Sequence, residues 1–340
     1  MVQQVSYVMP VLNEADHVAA AVRSVLAQDY AGEVEVVIAL GPSTDNTDAV
    51  VAALCAEDPR VRSVPNPAGS TPAGLNAAIR ASRYPIVVRI DAHSELPPNY
   101  TTVAVETIER TGAVNVGGVM DAQGRTNFEK AVALAYTSPV GLGGTRHHTG
   151  GEAGPAETVY LGVFHRERLL QIGLFDEELR RGQDWELNRR INRAGGLVWF
   201  TPELRVTYRP RSGLGPLLRQ FLHTGRWRGE LFRREPAGLR YLVPPIALLG
   251  LVVGTLLGVV GLVALAAGAT GLLPALLLAG FAAPALYLLF VLLAAAVVAG
   301  PAGPGVLGWF LIVLPCIHLA WGAGFWLGLF RGASQEHRGR

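Results

Sequence analysis

From Tyr241 to Phe330 the chain carries not one Asp, Glu, Lys or Arg. No water-facing surface is built from such a run, and only helices or closed barrels satisfy their own backbone in lipid. The run divides into three apolar segments, Leu242 to Ala267, Leu272 to Val298 and Val306 to Phe330, joined by short uncharged connections. Each is long enough to cross a hydrocarbon layer of about 30 Å. The residues before Tyr241 read as an ordinary soluble α/β protein, long enough to bury a full core. Four parts are expected: a domain over 1–212, an amphipathic juxtamembrane region over 213–240, transmembrane helices over 241–330, and a polar tail over 331–340.

The flanks orient this arrangement. Arg205 through Arg240 hold nine arginines, so this side is expected to face the cytoplasm by the positive-inside rule. Three crossings then place Arg331, Arg338 and Arg340 outside, against the same rule. Between Leu214 and Phe232 the residues Leu214, Leu217, Leu218, Phe221, Gly225, Arg228 and Phe232 recur near helical spacing, with Arg219, Arg226, Arg228, Arg233 and Arg234 around the stripe. That pattern predicts a helix lying in the headgroup plane; the plainer alternative is a soluble surface helix. Met1 leads almost directly into a strand, so no signal peptide is expected. Two distant cysteines, Cys55 and Cys316, offer no disulfide framework. A net charge of +2 makes no case for a nucleic-acid partner.

Strands and helices alternate through the first part. The pattern predicts strands at Val5 to Pro10, Val34 to Leu40, Val61 to Val64, Tyr84 to Val88, Val114 to Val119 and Val159 to Phe164. Helices are expected at Ala15 to Ala27, Asp48 to Glu57, from Gly74, at Leu96 to Thr111 and at Asp184 to Ala194. Alternation at this spacing predicts a mostly parallel sheet. Asp121 to Thr158 reads as a long irregular segment, which inside a compact domain suggests a functional loop.

The stretch Arg89-Ile90-Asp91-Ala92-His93 follows a short β-branched strand. Side chains alternate along a strand, so Asp91 and His93 fall on one side, at the carboxyl edge where open α/β sheets bind ligands. The pair can hold a divalent ion, or Asp91 can simply accept backbone hydrogen bonds. Other polar clusters stand at the ends of predicted elements: Pro10-x-x-Asn13-Glu14, Ser43-Thr44-Asp45-x-Thr47, Ala73-Gly74-Leu75-Asn76, Gly173-Leu174-Phe175-Asp176-Glu177 and Gly182-Gln183-Asp184-Trp185-Glu186. Asn13 and Asp45 each suit a helix cap as well as a ligand contact. Asn76, at an expected helix start, suits either a phosphate site or a cap. Asp184 suits a general base or a dipole-stabilised helix start.

Taken in order, these pieces resemble the family 2 glycosyltransferases, membrane-bound succinoglycan or exopolysaccharide type, over about residues 3 to 235. The resemblance implies a GT-A fold that binds a nucleotide-sugar donor, with a UDP-sugar expected, through Pro10, Asn13, Glu14, Asp45, Asn76 and Asp91. It implies Mg2+ or Mn2+ at Asp91, in the position of an Asp-x-Asp motif whose second carboxylate is here His93, either a nitrogen ligand of the metal or a hydrogen-bond donor to phosphate. Asp184 is the expected base of an inverting transfer, with Gln183, Arg226 and Trp227 toward the acceptor or diphosphate. Glu186 is expected to pair with Arg189 or Arg190. Two departures stand out. Leu40-Gly41-Pro42 lacks the Asp of many relatives, and His223-Thr224-Gly225-Arg226-Trp227 replaces the Gln-x-x-Arg-Trp of processive synthases. The implied reaction moves a sugar onto a lipid-linked acceptor at the cytoplasmic membrane, in a multi-pass protein with a cytoplasmic catalytic domain. The alternatives are a polyprenyl-phosphate glycosyltransferase and a non-catalytic nucleotide-sugar-binding scaffold.

Overall fold

The computed structural model describes residues 2–94, 96–179, 182–234 and 239–332. The expected polar tail beyond 332, with Arg338 and Arg340, lies outside them, as do residues 235–238 of the juxtamembrane region. The chain divides into two compact units, residues 1–121 with 144–208, and residues 122–143 with 209–340. The units exchange at 208–209, and residues 122–143 cluster with the second unit.

In the first unit β1 (Val5–Val11), α1 (Val18–Leu26), β2 (Val34–Leu40), α2 (Thr47–Glu57), β3 (Val61–Pro65), α3 (Thr71–Ala81), β4 (Ile86–Arg89) and α4 (Tyr100–Thr111) alternate. Then follow β5 (Asn115–Ala122), where the chain passes into the second unit with α5 (Asn127–Thr137). It returns with α6 (Arg146–Thr149), β6 (Gly154–Pro155), β7 (Tyr160–His165), α7 (Arg166–Ile172), α8 (Gln183–Arg193) and β8 (Val198–Tyr208). The sheet order is β3-β2-β1-β4-β7-β5-β8-β6. β1 pairs in parallel with β2 and β4, and β2 with β3. Beyond β4 the sheet turns antiparallel through β7 and β5. The expected parallel character holds for the half that carries the nucleotide-type loops.

The strands are apolar on both faces because helices cover both. Tyr7 and Met9 pack toward α1, α2 and α4, while Val8 faces α3, α7 and α8. α3 begins at Thr71 rather than at Gly74. Ser70 Oγ accepts from Ala73 N, and Pro72 sits in the first turn, the two signals that start a helix. Within the segment expected to be irregular, α5 is a regular helix opened by a capping box between Thr126 and Glu129.

The second unit adds α9 (Leu214–Arg234), α10 (Val243–Ala266), α11 (Leu272–Leu278), α12 (Ala282–Ala294) and α13 (Pro304–Arg331). Three helical stretches, Val243–Ala266, Leu272–Ala302 and Pro304–Arg331, are long and apolar enough to cross a membrane. α9 forms over the expected residues, with Leu217 and Phe221 buried. Its glycine face lies on α13: a Cβ on Gly225 or Gly229 would strike the carbonyls of Trp321 and Phe325, and one on Gly324 or Gly328 those of Leu222 and Arg226. Two small-x-x-x-small faces meet, the packing that lets helix backbones approach. Part of the stripe expected to enter the bilayer surface is thus covered by another helix.

Candidate active site

Arg89 ends β4 and is 6% exposed. Its Nη2 lies 3.2 Å from Asp91 Oδ1, and its Nη1 pairs directly with Asp184 Oδ1 at the start of α8. The two carboxylates singled out in the sequence, 93 positions apart, are therefore held by one guanidinium. Burial alone lowers the Arg89 pKa, but the charges of Asp184 and then Asp91 outweigh it and hold the arginine above its ordinary value. Among the described residues its Nε finds no acceptor.

Asp184 is the second residue of α8, after Gly182 in a left-handed conformation (φ 76°). Crowding by protein raises its carboxyl above the ordinary aspartate range; Arg89 opposes the shift and the Asp91 charge adds to it. The side chain still leaves 41% of its surface open, so solvent and an incoming hydroxyl can both reach it. A more basic, accessible carboxylate is what proton abstraction from an alcohol requires. Gln183, one residue earlier, is buried in the first turn. Tyr160 on β7 also faces these charges: burial first, then Asp91, pushes its phenol far above the ordinary range, so it stays protonated.

The loop after β1 meets the loop after β2. Asn13, at φ 55°, accepts from Thr44 N at 2.7 Å, and Asp45 accepts from Thr47 N at 3.0 Å and Ala15 N at 3.2 Å. Asn13 does not cap α1, whose N-cap is His17; it ties two loops. Asp45 organises the turn into α2. Glu14 reaches His93, Nδ1 to Oε1 at 3.3 Å, and His17 at the same distance. Pro10 lies at the end of β1, half-buried, where α3 comes so close that a Cβ on Gly74 would meet Pro10 Cβ at 3.0 Å and Asn66 Nδ2 at 2.7 Å.

Asn76 departs from expectation in position. It sits in the middle of α3, 2% exposed. Its Oδ1 accepts from Phe175 N at 3.0 Å, while its Nδ2 donates to Phe175 O at 2.9 Å and Glu177 Oε1 at 2.8 Å. Two sequence motifs are thus halves of one clasp. The other side of the turn, where Gly173 and Leu174 have φ of 99° and 64°, is held by Arg190 through the carbonyls of Ile172 (2.8 Å) and Leu174 (2.5 Å). Glu186 fixes Arg190 at 2.6 Å, and Arg189 stacks on Trp185 at 5.2 Å. The clasp anchors the turn that leads toward α8 and Asp184. Arg226 and Trp227 belong to α9 in the second unit, where Arg226 Nε donates to Gly332 O at 3.0 Å.

Sequence reasoning missed Arg89 and Tyr160. An Arg two residues before Asp91 was a visible signal, but its partner at position 184 was not. Among the described residues no three His, Cys, Asp or Glu side chains group closely enough to form a metal cage. The residues nonetheless fit a hard ion such as Mg2+, which keeps waters and substrate phosphates and needs only one or two carboxylates. Asp91, with 22% of its side chain exposed, supplies one.

The model of Glycosyl transferase family 2 matches residues 6–172. The chain is 33% identical over 325 residues to the succinoglycan biosynthesis protein ExoA of Rhizobium meliloti (strain 1021), covering 94% of this chain and 93% of that protein. It is 22% identical over 249 residues to a dolichyl N-acetyl-alpha-D-glucosaminyl phosphate 3-beta-D-2,3-diacetamido-2,3-dideoxy-beta-D-glucuronosyltransferase of Methanococcus voltae, over 71% of this chain and 77% of that protein. Among solved structures, the mannosyltransferase PcManGT of Pyrobaculum calidifontis, in complex with GDP-Man and Mn2+, shares the fold at a TM-score of 0.61 and 20% identity, over 97% of this chain and 88% of that one. A relative one-third identical across almost its whole length, a matching family model and the GT-A sheet lead to one conclusion: this chain belongs to glycosyltransferase family 2 and is a glycosyltransferase.

Proposed function

We propose that the chain is an inverting transferase that moves a sugar from a nucleotide-diphosphate donor to a lipid-linked saccharide at the cytoplasmic face of a membrane, as in exopolysaccharide synthesis. The supporting observation is the Asp91–Arg89–Asp184 bridge at the carboxyl end of β4. Asp184 takes the proton of the acceptor hydroxyl as its oxygen attacks the anomeric carbon, opposite the departing diphosphate. The loops carrying Asn13, Glu14 and Asp45 shape the nucleotide side, and Asp91 would hold Mg2+ or Mn2+. When bound, such an ion supplies charge neutralisation for the leaving diphosphate.

A saccharide acceptor is favoured over a bare polyprenyl phosphate by Asp184 itself, because a phosphate oxygen is already deprotonated at neutral pH and needs no base. The Methanococcus relative is named for an acceptor that is already a dolichyl phosphosugar. Three helices long and apolar enough to cross a membrane support a reaction at a lipid surface. The deciding experiment incubates membranes containing the protein with a panel of UDP- and GDP-sugars and scores nucleoside diphosphate release and labelled lipid product. Divalent-dependent release with one donor, and a product larger than a lipid phosphosugar, is expected. A mild-acid-labile single-sugar lipid phosphate as product rules out the saccharide acceptor. Absence of transfer with every donor in active membranes, with nucleotide-sugar still bound, would return the chain to the scaffold reading.

A further inference from the structure

Arg89 has no role in the transfer chemistry described above, yet it is the most buried charge in the site. Its guanidinium is held between Asp91 and Asp184, and the residue is only 6% exposed. Arginine remains charged at any working pH. One positive and two negative charges therefore stand together, and one oxygen of Asp91 already faces a cation at 3.2 Å. A bare divalent ion approaching Asp91 meets a like charge that cannot move away or deprotonate. A divalent ion arriving with a nucleoside diphosphate brings its own compensating negative charge, so the same repulsion is offset.

We infer that Arg89 is a resident countercation that pairs with Asp91 and makes divalent-ion binding there conditional on the donor diphosphate. The inference rests on the reading of Asp91 as the ion-binding carboxylate. It gives the site an order: the arginine keeps the carboxylates from repelling one another, and the ion enters with the nucleotide. It also explains the residue type, since a planar fork reaches two carboxylates where a lysine ammonium offers a single point charge.

The test is direct titration of the full-length protein in detergent with Mn2+, followed by electron paramagnetic resonance, first alone and then with UDP and with GDP. Wild type is expected to bind Mn2+ weakly without nucleotide. Arg89→Met removes the competing charge at similar volume and should tighten nucleotide-free binding by about tenfold or more, the scale of one removed charge in a partly buried site. Asp184→Asn acts in the opposite direction. With its second partner neutral, Arg89 is left to Asp91 alone, and nucleotide-free binding should weaken further. A merely structural pin predicts the reverse sign for Arg89→Met, because loosening the site scatters its ligands. Unchanged or weaker Mn2+ binding by a folded Arg89→Met protein overturns the inference, as does wild-type binding equally tight with and without nucleotide. Should Arg89→Met fail to fold, the Asp184→Asn titration decides, and tighter binding there overturns the inference. Absence of Mn2+ binding by wild type even with UDP or GDP present sinks the metal reading itself, and the inference with it.

Discussion

Replacing Asn76 with Ala separates a structural clasp from a nucleotide contact. Asn76 is 2% exposed and exchanges two hydrogen bonds with the backbone of Phe175, at 3.0 and 2.9 Å. Each contributes about 1 kcal/mol net, and the buried Phe175 N–H left without its acceptor costs about 1–3 kcal/mol. The third bond goes to Glu177, whose side chain is 49% exposed, and contributes little. A loss of about 2–4 kcal/mol follows. At about 2–4 °C per kcal/mol for a unit of this size, melting should fall by roughly 5–15 °C. The assay pairs differential scanning calorimetry with UDP and GDP titration well below the transition. The clasp predicts a large melting shift, nearly unchanged nucleotide affinity, and reduced turnover, because the turn leading toward α8 and Asp184 loses its anchor. An unchanged melting temperature with collapsed nucleotide affinity would refute the clasp and restore the phosphate contact expected of a residue at a helix start.

Three further outcomes are expected. Asp184→Asn keeps shape but cannot accept a proton, so turnover at saturating donor and ion should fall by about 10²–10⁴; in wild type the rate should drop as pH falls through a carboxyl displaced above the ordinary aspartate value, and near-normal turnover in the variant would disprove the base role. Glu35 is buried, which by itself raises its carboxyl, but the Ser6 hydroxyl, the Arg83 amide and Arg62 together hold it below the ordinary glutamate value; its stabilisation is present at neutral pH and lost as pH falls through that range, so Glu35→Gln should lower the melting temperature near pH 7 and hardly at all near pH 3. Gly229→Leu places a side chain against the Phe325 carbonyl and should force α9 from α13, visible as protease cleavage between them; full resistance would show that the glycine contact is dispensable.

The sequence exposed what is local. The charge-free run announced the three apolar helices, and the alternation of strands and helices announced a mostly parallel sheet. Where the reading stopped short, a local signal usually existed. Thr126 and Glu129 form a capping box three residues apart, and Ser70 with Pro72 marks the start of α3, yet both signals stand in a Gly- and Pro-rich context that reads as loop. The β8 strand escaped because Pro202 and alternating charges interrupt its apolar pattern, and its pairing with β6 depends on partners distant in the chain.

The site was less legible for a different reason. Motif residues show that a position is chemically special without showing what it touches. Asn76 and Phe175 lie in separate motifs, 99 positions apart, and only the fold reveals that one amide closes on the other's backbone. The motif glycine beside Asn76 has the same kind of cause, since Gly74 is where α3 crosses Pro10 too closely for a side chain. Arg89 is the extreme case. In sequence it is a charged residue ending a strand, a common way for a strand to meet solvent. In the fold it is enclosed, and enclosure of a guanidinium is tolerable only because two carboxylates compensate it. On the proposed reading Asp91 and Asp184 are therefore required twice, once for the arginine and once for the substrates. A substitution at either carboxylate must change both functions together, so loss of activity there cannot by itself identify a catalytic residue. The measurement that separates the two is binding without turnover, with each carboxylate neutralised in turn while the arginine is kept.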